Sequence, residues 1–165
     1  MKSRTKNIAV ASAIAAIYTV LTLFPGLSML SFGAVQFRVS EALCVLPVFT
    51  PAAVYGLTAG CFVSNILSST GLLDMIFGTL ATLLATMCTY RMRRLHTAVA
   101  LIPPVVFNGV IVGWMITYFY TETAGRFTEI LLLNMSTVAL GEFGVCYFLG
   151  LPLANILKKH KNIFQ

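Results

Sequence analysis

Apolar segments about as long as a lipid bilayer is thick follow one another along almost the whole chain, from near Ile8 to near Leu157. Of the 165 residues, 58% are hydrophobic and only 10% are charged, and the mean hydropathy is +0.89. A helix needs about 20 apolar residues to cross a bilayer, so this length allows about six crossings. The sequence therefore predicts a single integral-membrane domain, residues 1–165, built as an all-α bundle of transmembrane helices.

The positive charges are concentrated beside the ends of the apolar segments. The net charge is +6, and nine of the eleven basic residues lie in three short clusters: Lys2, Arg4, Lys6, Arg91, Arg93, Arg94, Lys158, Lys159 and Lys161. Basic residues at span ends mark the cytoplasmic side of a membrane protein. A protein that binds nucleic acid would instead present them as a stripe on a polar surface. We therefore expect a multi-pass protein of the cell membrane that contacts the lipid bilayer and no nucleic acid.

Turn-forming residues divide the chain into six predicted spans, at about residues 7–24, 41–49, 51–67, 72–90, 97–120 and 130–157. The stretch from Leu43 to Leu67 is also compatible with one span, which would give five in total. Five spans would place one basic cluster outside the cell, whereas six spans place all three on one side. The prediction is therefore six spans, both termini in the cytoplasm, and a tight turn at Thr50-Pro51.

Several charged or strongly polar residues occur within these apolar segments, where a charge costs about 2.5–3.5 kcal/mol even on the scale derived from membrane insertion. They are Arg38, Glu41, Asn65, Asp74, Asn108 and Glu142. In the six-span arrangement most of them fall in the outer half of the bundle. Because ionisable residues inside membranes usually line a pathway or a cavity, we expect them to converge on one outward-facing site for a small molecule.

Most of these residues also have a purely structural interpretation. Arg38 and Glu41 are three residues apart and can form an ion pair at a helix entrance. Asp74 can interact with the dipole of a helix N-terminus. The two asparagines can form hydrogen bonds between helices, as polar residues in membrane bundles do. Glu142 has no comparable neighbour in the sequence, so it is the strongest candidate for a substrate contact.

Small residues recur four positions apart in two of the predicted helices. They are Ala9 and Ala13, and Ala11 and Ala15, in the first helix, and Gly56 and Gly60 in the third. This spacing allows helix backbones to approach closely in lipid. For the two glycines we expect packing within the bundle, whereas the alanines are also suited to a contact with another subunit.

Motifs for catalysis or for metal binding are missing from the sequence. Its four cysteines, Cys44, Cys61, Cys88 and Cys146, occur singly in apolar segments. We therefore expect them to be small buried side chains, and we expect no metal and no cofactor. GxSxG, HExxH and the phosphate-binding motifs GxxxxGKS and GxxxxGKT are likewise absent. The chain is therefore not expected to be an enzyme or to hydrolyse ATP by itself.

Four segments resemble those of the queuosine-precursor transporter family (QueT). They read QFRVSEALCVLPVFTPAAVYGLTAGCFVSNIL, LLDMIFGTLATLLA, PPVVFNGVIVG and LGEFGVCYFLGLPL, and together they cover nearly the whole chain. The resemblance implies a six-helix substrate-binding S subunit of an energy-coupling-factor (ECF) transporter, working with a transmembrane scaffold subunit and two cytoplasmic ATPases. It also implies that the alanine-rich first helix docks on the scaffold and that the first outer connection caps the substrate.

A substrate of the 7-deazaguanine class presents two N–H donors beside a carbonyl acceptor, which suggests roles for the polar residues. A carboxylate, Glu142 or Glu41, would accept both donors, and Asp74 would pair with an aminomethyl cation. An asparagine would donate and accept elsewhere on the ring, and an aromatic side chain would stack on its face. The candidates for these last roles are Asn65 and Asn108 for the ring edge, with Tyr18, Phe37, Phe107 and Trp114 for stacking.

Two other functions are compatible with the sequence. One is a stand-alone transporter driven by protons or cations, with Glu142 as the proton carrier. Such transporters usually contain internal repeats, and no convincing repeat relates the two halves of this chain. The other is an S subunit for a different vitamin. The sequence favours substrate capture for ATP-driven uptake by partner subunits.

Overall fold

The computed structural model describes residues 2–24, 37–67, 72–122 and 125–159, and all regular secondary structure within these ranges is helical. Six helical segments follow one another along this part of the chain: α1 Lys2–Leu23, α2 Val39–Val48, α3 Ala52–Leu67, α4 Leu72–Arg91, α5 Thr97–Tyr120 and α6 Phe127–Lys159. The all-α prediction is confirmed. The predicted cap over the substrate, in the first outer connection, lies mostly outside the described residues.

Four of these helices, α1, α4, α5 and α6, are long and apolar enough to cross a membrane. The other two, α2 with 10 residues and α3 with 16, are apolar but shorter. Because α2 ends at Val48 and α3 begins at Ala52, the predicted break at Thr50-Pro51 is confirmed. The chain is thus a multi-pass membrane protein. The six crossings that α2 and α3 would complete stay a prediction, as do the cytoplasmic termini.

The short α2 segment is a 3-10 helix over its whole length. Its first turn is closed by a bond of 2.8 Å from the Glu41 N–H to the Arg38 carbonyl, and Pro47 removes one backbone donor near its end. A 3-10 helix rises about 2.0 Å per residue, so these residues extend over about 20 Å. Residues three apart fall in line on such a helix, which places Arg38, Glu41 and Cys44 on one buried row.

The two C-terminal helices each contain a wider, π-helical turn. In α5 this turn covers Asn108–Val112, just after the Pro103-Pro104 pair, and in α6 it covers Cys146–Gly150. Turns of this kind are rare inside α-helices and are frequent at functional sites. One of them begins at Asn108 itself, and the other begins four residues after Glu142. Both irregular turns therefore lie beside polar residues singled out from the sequence.

Helices α1 and α3 pack with their backbones in close contact. A Cβ atom on Gly56 would lie 2.6 Å from the Ala11 carbonyl oxygen, and one on Gly60 would lie 2.9 Å from the Ala15 carbonyl oxygen. The prediction that the two glycines pack within the bundle is confirmed. Two of the four alanines are therefore partly covered by α3, whereas those at positions 9 and 13 are exposed.

A second close contact, which the sequence analysis missed, joins α5 to α6. A Cβ atom on Gly113 would lie 2.6 Å from the Met135 Cα, and one on Gly109 would lie 2.9 Å from the Ala139 Cβ. Gly109 and Gly113 are four residues apart, so the same spacing that identified the α3 glycines was available here. This contact holds α5 against α6 next to the polar residues.

The helices alternate in direction so that residues 4 and 159 lie at the same end of the bundle. The glycine contacts show that α1 runs parallel to α3, because Gly56 faces Ala11 and Gly60 faces Ala15. Side-chain hydrogen bonds show that α4 runs antiparallel to α3 and that α6 runs antiparallel to α5. A bond of 2.7 Å from Lys158 Nζ to Thr97 Oγ1 brings the C-terminal lysines next to the turn that carries Arg91, Arg93 and Arg94. The described residues of the three basic clusters thus share one end, as the six-span prediction requires.

Candidate functional site

Five buried polar side chains surround one small cavity between α2, α4, α5 and α6. They are Arg38, Glu41, Asp74, Asn108 and Glu142, and Val112 and Val138 complete the lining. None of the five exposes more than 8% of its surface. One guanidinium thus shares a water-shielded space with three carboxyl groups, where charged groups must be paired or hydrogen-bonded. The geometry agrees with the prediction that these residues converge, and their role in substrate binding stays a prediction.

Both carboxylate oxygens of Glu41 accept a hydrogen bond. The Tyr18 hydroxyl on α1 donates to Oε1, and the Cys44 thiol, one turn further along α2, donates to Oε2 at 2.8 Å. Next to them, the Thr22 hydroxyl donates to Ser40 Oγ at 2.7 Å. Tyr18 is fully buried, so in this structure it supports Glu41 rather than offering a free ring face for stacking. Each Glu41 oxygen therefore already accepts one hydrogen bond from the protein before any ligand binds.

Removing the Tyr18 hydroxyl is expected to destabilise the fold. Tyr18→Phe keeps the ring but leaves one oxygen of a buried carboxylate without its donor, which costs about 1–3 kcal/mol. The thermal unfolding midpoint of the detergent-purified variant should fall by several degrees. Tyr118→Phe is the matched control, because Tyr118 is 61% exposed and its midpoint should stay unchanged. Equal midpoints for both variants would show that Glu41 does not depend on Tyr18.

Asn65 on α3 connects Arg38 to α4. Its side-chain oxygen accepts a hydrogen bond from Arg38 Nη2 at 3.3 Å, and its amide nitrogen donates to the Asp74 carbonyl oxygen at 3.0 Å. A Cβ atom on Gly78 would lie 3.1 Å from that amide nitrogen, so the absent side chain leaves room for the contact. Asn65 is therefore a bridge between helices, which was one of its two interpretations. Asp74 lies in the first turn of α4, as its dipole interpretation predicted, and it also lines the cavity.

Glu142 and Asn108 keep hydrogen-bonding capacity that the described residues do not use. The Glu142 carboxylate accepts a long contact from the Cys146 thiol, with Sγ 3.5 Å from Oε1, and a thiol is a weak donor. The Asn108 amide nitrogen is buried beside the Glu142 carboxylate, and no acceptor in the described part of the chain forms a hydrogen bond of normal geometry with it. A buried donor left unsatisfied costs about 1–3 kcal/mol. The pair therefore offers acceptors and a donor on one cavity.

Two cysteines have a role that the sequence analysis missed. Cys44 and Cys146 are buried, as predicted, but each also donates its thiol to a carboxylate, Glu41 and Glu142 respectively. The spacings of three and four residues between each acid and its cysteine were visible in the sequence and bring side chains together on a helix.

Within the described ranges, no group of three His, Cys, Asp or Glu side chains is arranged to hold a metal, and the four cysteines are free thiols.

Three of the aromatic candidates for stacking, all within the described residues, do not line the cavity. Trp114 stacks on Tyr118, one turn along α5, with ring centroids 5.2 Å apart, and its ring lies 5.9 Å from that of Phe77. Phe37 lines a separate apolar groove beside α6. Phe107 is half-buried on α5 outside the cavity. In this conformation, therefore, none of these three rings faces the buried polar residues.

The cavity is almost closed. Its volume is about 10 Å³, which is close to the minimum that holds one water molecule, and a bicyclic base is many times larger. Val112 and Val138 form its apolar wall between α5 and α6. A molecule of that size therefore fits only after the lining helices separate or their side chains rotate. In this structure the cavity is contracted.

An all-helical chain with membrane-length helices around a buried ionic cluster has the architecture of a polytopic membrane transport protein. Comparison with known families agrees with this class, because a family model described as QueT transporter matches residues 8–159. The chain belongs to the QueT transporter family. The resemblance found in its sequence segments is thereby confirmed.

A curated relative aligns with half of the chain. The queuosine precursor transporter QueT of Lactococcus lactis subsp. cremoris (strain MG1363) is 45% identical over 82 residues. The alignment covers 50% of this chain and 48% of that protein, so the chain spans about half the length of the curated relative it matches. No solved structure matches the chain.

Proposed function

We propose that this protein is the substrate-binding membrane subunit of an ECF-type importer. It captures a queuosine precursor of the 7-deazaguanine class outside the cell membrane, and partner subunits drive uptake with ATP. Membership of the family supports a role in transport, and the name of the relative supports the substrate class. The observation that carries the proposal is the pair formed by Glu142 and Asn108 on one buried cavity. The Asn108 amide forms no hydrogen bond of normal geometry with any described residue.

The edge of a 7-deazaguanine complements these two side chains. Its ring N–H and its amino group point the same way and suit a carboxylate, and the neighbouring carbonyl suits an amide N–H donor. Glu142 supplies the carboxylate, and Asn108 supplies the donor. Glu41 is the weaker candidate for the ring edge, because the Tyr18 hydroxyl and the Cys44 thiol already donate to its two oxygens.

The balance of charges on the cavity favours a ligand with a positive group. Three carboxyl groups and one guanidinium line it, and Arg38 donates to Asn65 at 3.3 Å. A buried acidic excess is unfavourable unless a cation or a proton compensates it. The Asp74 side chain is therefore assigned to the aminomethyl group of a deazaguanine precursor.

The Asp74→Asn variant is expected to bind an aminomethyl deazaguanine roughly 10- to 100-fold more weakly than the unchanged protein, because a charge-assisted bond is lost. Binding of the neutral nitrile analogue should change much less. Calorimetric titration of both ligands on both proteins measures the difference. Glu129→Gln, which removes an exposed carboxylate paired with Arg126, is the control and should bind both ligands normally. Equal losses for the two ligands would contradict a pairing between Asp74 and the amine.

Titration of the detergent-purified full chain against a ligand panel tests the substrate class. The panel contains queuine, the aminomethyl and nitrile deazaguanines, guanine and an unrelated vitamin. Tight binding of one deazaguanine without any energy source supports the proposal, whereas a folded protein that binds none of them contradicts it. Proton-driven uptake into vesicles that contain this chain alone would contradict the dependence on partner subunits.

The proposed contact with the scaffold subunit uses the exposed side of α1. Ala9 and Ala13 are exposed there, whereas α3 partly covers Ala11 and Ala15. Small exposed residues four apart allow another membrane helix to pack closely. The end of the bundle that carries the basic clusters, and with it both termini, is proposed to face the cytoplasm. Co-purification of a scaffold subunit and two ATPase subunits with the tagged chain tests this assembly.

A further inference from the structure

We propose that the basic end of the bundle carries a binding site for one anionic phospholipid, in a cleft between the start of α3 and the end of α4. The cleft has a volume of about 650 Å³ and is separate from the polar cavity. Its walls include Val54, Leu83 and Met87, and its mouth carries Arg91, Arg93 and Arg94. An apolar wall below a cluster of positive charges is the combination that a lipid with an anionic headgroup requires.

None of the chain's five acidic side chains balances these three arginines. Three of the five line the polar cavity, and a fourth, Glu129, forms an exposed ion pair with Arg126. Asp74, on α4 like Arg91, lies about 25 Å away at the opposite end of that helix. The fifth acid, Glu122, follows the far end of α5. The arginines therefore repel one another, and an anion from outside the chain relieves this repulsion.

The arginines are arranged to bind phosphate. The Arg93 guanidinium lies over the Tyr90 ring, 4.1 Å from its centroid, and donates to the Tyr90 carbonyl at 3.2 Å. Arg91 and Arg94 line the same cleft and are exposed. Guanidinium groups bind phosphate oxygens through two parallel hydrogen bonds, which makes arginine better suited to this task than lysine. The cleft thus presents one oriented guanidinium and two exposed ones.

The remaining walls identify a lipid rather than a soluble phosphate. Tyr55 is 73% exposed and Met87 is 46% exposed, and both line the cleft. Tyrosines at the ends of membrane helices lie at the level of lipid headgroups. A soluble phosphate would leave this apolar wall uncovered, whereas an acyl chain covers it while the headgroup reaches the arginines. A zwitterionic headgroup would bring its own cation next to them, so a lipid with net negative charge is favoured.

Native mass spectrometry of the delipidated full chain, mixed with phosphatidylglycerol or phosphatidylcholine, tests the site. We expect one phosphatidylglycerol to stay bound at energies that remove phosphatidylcholine. The double variant Arg91→Gln/Arg94→Gln should bind it at least about tenfold more weakly. The control Arg4→Gln/Lys159→Gln removes the same charge from the same end of the bundle and should bind as the unchanged protein does. All four side chains are exposed, so thermal unfolding midpoints should not change.

Three results would overturn the proposal. Equal retention of phosphatidylcholine would remove the requirement for an anionic headgroup. Equal losses in the two double variants would show a general attraction of anions to the basic end instead of a site. Equally tight binding of glycerol phosphate, which has the headgroup phosphate without acyl chains, would show that the apolar wall contributes nothing.

Discussion

Replacing Glu142 with glutamine is expected to weaken the binding of a 7-deazaguanine by roughly 100-fold. The amide keeps the shape of the side chain, but it presents an N–H group where the ligand also presents one. Bonds to a charged acceptor contribute about 1.5–3 kcal/mol each, and the ring edge makes two of them to this carboxylate in the proposed complex. Calorimetric titration of the purified variant measures the loss.

The same substitution is expected to leave the fold intact or to stabilise it slightly. Glu142 is only 4% exposed, and its closest hydrogen bond among the described residues comes from a thiol at 3.5 Å, with the Asn108 amide beside it. Removing a buried charge with so little compensation should keep or raise the unfolding midpoint of the ligand-free protein. Glu41→Gln is the matched control, because it disturbs two close hydrogen bonds and should lower the midpoint. Normal binding by Glu142→Gln, or a large loss of stability, would contradict the role assigned to Glu142.

The convergence of the polar residues could be predicted because its physical causes are strong. A charged side chain has few tolerable positions inside a membrane bundle, and it faces the interior at almost all of them. The basic clusters set the order of the crossings, and that order brings Glu41, Asp74 and Glu142 to a similar depth. The packing of Gly56 and Gly60 within the bundle could also be predicted, because small residues four apart in a membrane helix usually mark a close contact between helix backbones.

The individual partners within the site could not be predicted because they depend on local geometry. A 3-10 helix of ten residues is uncommon, so nothing in the sequence pattern distinguished α2 from a short α-helix. The thiol of Cys44 reaches Glu41 along the row of residues that this geometry creates. Trp114 was a reasonable stacking candidate by position, but a large ring packs against the nearest aromatic surface, and Tyr118 provides one. The volume of the cavity depends on many side chains at once, which a pattern of residue types does not specify.

The contact between α5 and α6 is expected to tolerate substitution poorly. A Cβ atom on Gly113 would lie 2.6 Å from the Met135 Cα and 2.8 Å from its nitrogen. Both are backbone atoms, so no side-chain rotation relieves the overlap. Gly113→Ala should therefore lower the free energy of unfolding by about 1–3 kcal/mol, and Gly113→Leu should prevent stable folding. Thermal unfolding and size-exclusion chromatography of the detergent-purified variants measure these effects.

Gly144→Ala on α6 is the matched control for that overlap. Its nearest neighbour is a ring atom of Phe37 at 3.2 Å, which can rotate away, and alanine is favoured over glycine in a helix by about 1 kcal/mol. This variant should be neutral or stabilised. Adding Met135→Ala to Gly113→Ala should not rescue stability, because the overlap involves the backbone of Met135. Rescue, or an unchanged stability of Gly113→Ala, would show that α5 and α6 separate easily. Without such a result, α5 and α6 stay together, and the proposed substrate would enter the cavity only if the lining side chains rotate or α2 and α4 move.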